Sequence, residues 1–140
     1  MLPFKALFLA PVLLLVAAPA LADDLTGADR FLCTANSVVV CWDDGTCDNG
    51  SPADLNVPQF IEINLAEKIL STTRASGLNR STPIASVHRD EETIVLQGYE
   101  KGRAFSYVIR EKTGVASAAI AAEGRNVAAF GACTPIPASR

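Results

Sequence analysis

From Val38 onward the chain reads as short apolar stretches with a period of two, separated by turn-forming residues. Val38-Val39-Val40 is β-branched and runs into Cys41-Trp42-Asp43-Asp44-Gly45-Thr46-Cys47. Asp-Asp-Gly suits a three-residue hairpin loop, a type I turn followed by glycine in the left-handed region. That loop sets Trp42 opposite Thr46 and Cys41 opposite Cys47. Residues 47–58 hold Asp48-Asn49-Gly50-Ser51-Pro52 and Pro58, and an irregular connection is expected there. From Gln59 to Leu65 the alternation puts Ile61, Ile63 and Leu65 on one face and Phe60, Glu62 and Asn64 on the other. Ala66-Glu67-Lys68 then turns the chain into Ile69–Thr73. The polar stretch 74–83, with Gly77 and Pro83, is predicted as a loop.

Three more strands are predicted at Ile84–Arg89, Thr93–Gln97 and Arg103–Arg110, with Phe105, Tyr107 and Ile109 sharing a face. Val115–Ala122 and Asn126–Cys133 complete the pattern around a turn at Glu123-Gly124-Arg125. The alanines of 115–129 have high helix propensity, so a helix is the alternative for that segment. Gly114 and Gly124 fit turns and no residue caps a helix start, which favours strands. The spacing predicts one all-β domain: an antiparallel meander of about eight strands forming a small β-barrel or sandwich.

Ahead of this domain, Ala6–Val16 is an unbroken apolar run that follows Lys5 and leads to Ala20-Leu21-Ala22. This is the layout of a secretory signal peptide, residues 1–22, with the domain at 23–140. The run is shorter than the about 20 apolar residues of a transmembrane helix, and no second one follows, so no membrane anchor is expected. Loss of Lys5 takes the net charge from −3 to −4. An acidic chain without a basic patch excludes nucleic acid as the partner. The short alanine-rich leader points to bacterial export, to the periplasm or the medium.

Export changes the reading of the four cysteines. An even number in an oxidising compartment predicts two disulfides. A zinc site would need a C-x2-C pair or histidine partners, and the chain has one histidine, so no metal is expected. The hairpin favours Cys41–Cys47 and leaves Cys33–Cys133. A pairing of Cys33 with Cys41 around a turn at Asn36-Ser37 stays open.

Candidate chemistry is sparse. A Ser-His-Asp or Cys-His hydrolase would have to use His88, yet no G-x-S-x-G is present and the cysteines are committed elsewhere. Asp43, Asp44, Asp48 and Asn49 form the densest oxygen cluster, but without the alternating ligands and distal glutamate of a calcium loop. Asp90, Glu91 and Glu92 read as a solvated turn. No glycine-rich phosphate loop follows a strand, and no cofactor is expected. Asn49-Gly50-Ser51 and Asn79-Arg80-Ser81 match the glycosylation sequon, which matters only on a eukaryotic secretory path. A hydrolase built from paired carboxylates is the enzyme alternative.

Two short motifs carry a resemblance. The chain holds Arg74-Ala75-Ser76-Gly77 and Tyr99-Glu100-Lys101-Gly102-Arg103-Ala104. With its size, leader and strand-rich pattern, it resembles the exported bacterial inhibitors of c-type lysozyme. Those are small disulfide-bonded antiparallel β-barrels that direct a Ser-Gly loop and a Lys-Gly loop into the enzyme's cleft. The residues after each motif and the wider gap between the motifs differ here. The resemblance implies Ser76, Gly77, Lys101 and Gly102 as partner contacts and a basic protein such as lysozyme as the partner. The residues alone predict an exported, non-catalytic binding domain. Its target is either a protein or a small ligand held in the barrel.

Overall fold

The computed structural model describes residues 23–137, so the predicted leader 1–22 lies outside the described residues. Ten strands form among the described residues: β1 (Arg30–Trp42), β2 (Cys47–Gly50), β3 (Phe60–Asn64), β4 (Ile69–Thr72), β5 (Ser81–Pro83), β6 (Ser86–Arg89), β7 (Thr93–Glu100), β8 (Arg103–Arg110), β9 (Val115–Ala122) and β10 (Arg125–Pro135). Nine of them make one antiparallel sheet, in the order β5-β4-β3-β1-β10-β9-β8-β7-β6, curled into a half-barrel. β2 is a short flap on the outer half of β1. Two meanders are present, β3-β4-β5 and β6 through β10, and β1 lies between them. The helix alternative for 115–129 does not form, because β9 pairs with β8 on one side and β10 on the other.

Three segments depart from the predicted pattern. β1 begins eight residues ahead of Val38, because a bulge between Ala35 and Ser37 breaks its alternation. Phe31, Cys33 and Ala35 point inward before the bulge, and Val38 and Val40 after it. Gly131 lies opposite, where an added Cβ would run into the Thr34 carbonyl. The predicted loop 74–83 contains a single 3-10 turn at Arg74–Ser76 and then β5, and the predicted strand 84–89 is regular only from Ser86. β2 occupies the start of the connection expected to be irregular.

The end strands β5 and β6 are consecutive in the chain, parted by Ile84 and Ala85. Ile84 N–H donates to the Lys68 carbonyl on one side, and Ala85 N–H to the Gln97 carbonyl on the other, both at 2.8 Å. One run of chain thus joins the two ends of the sheet. Gly98 makes the approach possible, since a Cβ there would stand 2.7 Å from the Pro83 carbonyl oxygen.

One end of the half-barrel is packed shut. Phe31, Ile63, Ile84, Ile94, Leu96 and Ile109 meet around Leu25, and the Cys33–Cys133 disulfide joins the wall there. Leu25 comes from the segment ahead of β1, and its N–H donates to the Glu111 carbonyl at 2.8 Å. Arg89 fixes that segment: its guanidinium donates to the carbonyls of Ala28 (2.8 Å) and Leu25 (3.0 Å) and to the Glu111 carboxylate through Nε (2.9 Å). Glu111 is 5% exposed, so pairing and hydrogen bonding are what allow its charge to be buried. The second disulfide, Cys41–Cys47, closes the β1–β2 hairpin as read from the sequence. Trp42 N–H donates to the Thr46 carbonyl, and Gly45 has φ 85°. Both bridges are consistent with an oxidising environment.

Candidate functional site

The register stacks inward-facing side chains of β8, β9, β10 and β1 into layers across the wall. The innermost of interest is Tyr107, Ala118, Ala129 and Val38. Above it lie Phe105, Ile120, Val127 and Val40, and above those Arg103, Ala122, Arg125 and Trp42. The alternation that predicted Phe105 and Tyr107 on a shared face holds, and their rings meet edge to face at 5.9 Å.

Alanine at 116, 118, 122 and 129 leaves this part of the wall thin. The space that remains is a cavity of about 170 Å³ open at the mouth of the half-barrel. A cavity of roughly 150 Å³ with apolar walls is enough to take a benzene ring. Ile61 and Leu70, from β3 and β4, line another side, Phe105 lines the wall beside the alanines, and residues 56–59 of the β2–β3 connection form a rim. Leu55 and Val57 of that connection pack on Val38, Val40 and Val127, which fixes it against the wall.

Polar side chains also line this space. Tyr107 lines the cavity, and its hydroxyl has no hydrogen-bond partner among the described residues. Burial pushes its ionisation up to about 12, because a phenolate there would lose its water. At the mouth, Arg80, Arg103, Arg125 and Glu100 form a collar. The Glu100 carboxylate accepts from Thr82 Oγ1 at 2.8 Å. Arg125 lies over the Trp42 ring at 5.8 Å. Neither Arg103 nor Arg125 has an ion-pair partner among the described residues.

The other candidates fall outside the cavity. Ser76 ends the 3-10 turn and Gly77 follows it with φ 68°, while Lys101 (φ 47°) and Gly102 (φ 75°) make the β7–β8 turn. All four are exposed. Both turns leave the mouth end, joined below by the Thr82–Glu100 hydrogen bond. His88 points outward from β6, with Nε2 3.7 Å from Asp90 Oδ2 and its side chain 75% exposed.

The acidic clusters are occupied by turn chemistry. The Asp44 carboxylate accepts the hydroxyl and N–H of Thr46, which hold its ionisation below the usual carboxylate range. Asp90 accepts the N–H groups of Glu92 and Thr93, with the same result. Of the remaining carboxylates, Glu111 is tied to Arg89 and Glu100 to Thr82. No group of three metal-binding side chains occurs among the described residues.

Sequence reasoning offered a ligand-holding barrel but missed the residues that line the cavity and form its collar. The available signal was alanine at three of the four inward positions of β9, Ala116, Ala118 and Ala122, with Ile120 the one large side chain among them. Read along one strand it suggests helix propensity; read across the sheet it is a void. Compared with known proteins, the chain matches no family model and no curated protein.

Proposed function

We propose that this protein is an exported, non-catalytic binding protein that holds a small, largely apolar molecule in the mouth of its half-barrel. The alanine-walled cavity with the unpartnered Tyr107 hydroxyl carries this reading. Protein interiors pack as densely as organic crystals, and space left open inside a wall forgoes contacts that larger side chains would supply. Water in such a space finds few partners and is readily displaced by an apolar ligand. The disulfides support an oxidising location, and the reading of residues 1–22 as a secretory leader supports export to the periplasm or medium.

The test is titration of the disulfide-bonded protein, labelled at its alanine methyl groups, with 1-octanol. The methyl resonances of Ala116, Ala118 and Ala129 should shift saturably, while those of Ala104 and Ala119, on the outer face, stay in place. Ala118→Leu, which fills the cavity, should fold and abolish the shifts. Unmoved inner methyls at near-saturating octanol would overturn the proposal.

A second reading, inhibition of a c-type lysozyme, is favoured by the exit of the Ser76-Gly77 and Lys101-Gly102 turns from one end of the fold. It is tested by lysis of a cell-wall suspension. Micromolar protein should slow the lysis, and unchanged lysis removes the reading.

A further inference from the structure

The collar selects among apolar ligands. Arg103 pairs across the sheet with Ala122, and Ala122 with Arg125, so the three share the inward face of neighbouring strands. Two strand spacings set the arginines about 10 Å apart, with a methyl group between them. Glu100 stands opposite Arg103 in the register, but its carboxylate is engaged by Thr82. Arg80 adds a third guanidinium to the rim. The mouth therefore carries three positive groups and one negative in a chain whose net charge is −3.

Guanidinium groups without a carboxylate partner, at the edge of an apolar cavity, are positioned to bind a planar anion through paired N–H donors. From Arg103 to Tyr107 is four residues of β8, about 13 Å of strand, enough for a medium-length alkyl chain or a ring with a short linker. We infer that the cavity takes a carboxylate amphiphile, its apolar body against Ala118 and Ala129 and its head between Arg103 and Arg125 over Ala122. This rests on the cavity reading above and adds the sign and place of the head group.

Calorimetric titration with octanoate, 1-octanol and octylamine separates the two claims. Octanoate should bind about tenfold more tightly than octanol, in keeping with the usual strength of hydrogen bonds to a charged group. Octylamine should bind most weakly. Arg103→Gln and Arg125→Gln should each erase most of the preference for octanoate over octanol, and a circular dichroism spectrum matching that of the native protein shows that the variants are folded. Added salt should weaken octanoate alone. Equal binding of octanoate and octanol, lost together in Ala118→Leu, would overturn the head-group assignment and leave the cavity reading standing. Binding of none of the three would overturn both.

Discussion

Tyr107 joins an apolar ring to a hydroxyl with no protein partner, held where ionisation is costly. An unfolded tyrosine ionises at 10.0 and this one at about 12. Folding therefore favours the protonated phenol. The associated stability is fully present below pH 10 and is lost as the pH rises from 10 to about 12. Urea denaturation at pH 8 and pH 11 should show that loss in the native protein, and Tyr107→Phe should remove most of it. At pH 8 the same substitution should change stability little, because no protein hydrogen bond is broken. The inward direction of Tyr107 was legible in the sequence from its alternation with Phe105 and Ile109. That it faces a void was not, since the void is made by alanines on two other strands.

At the scale of elements, the strands with unbroken alternation were legible: β3, β7, β8 and the Cys41–Cys47 hairpin all lie where the pattern places them. The elements that escaped did so for identifiable reasons. The bulge in β1 shifts its inward positions by one, so Phe31, Cys33 and Ala35 fall out of phase with Val38 and Val40. β5 spans three residues with a proline, and its place in the sheet is set by partners distant in sequence. It joins the two ends of the sheet through Gly98, whose replacement tests the seam. Gly98→Val would press on the Pro83 carbonyl and the Phe105 ring, at a cost of about 1–3 kcal/mol, typical of overpacking. Gly50→Ala, with its nearest neighbours 3.8 Å away, should be near neutral. Urea denaturation measures both, and faster hydrogen exchange at the Ala85 amide in Gly98→Val would locate the damage.

Over the whole molecule, β1 and β10 bring together segments from opposite ends of the domain, and Cys33–Cys133 locks them across a sequence separation of 100. Cys41–Cys47 closes a separation of 6. In the chain-entropy account the long loop contributes about 4.7 kcal/mol and the short one about 2. Replacing Cys33 and Cys133 together with serine should therefore lower Tm more than replacing Cys41 and Cys47, as thermal unfolding monitored by circular dichroism would show. The packed end has a further consequence. With Leu25 seated beneath the core and held by Arg89, the described residues close the packed end and leave the cavity its door at the mouth. An occupant must depart before its successor can enter. Exchange measured by chasing a bound molecule with a competitor should then run at one fixed rate, set by departure and indifferent to how much competitor waits outside.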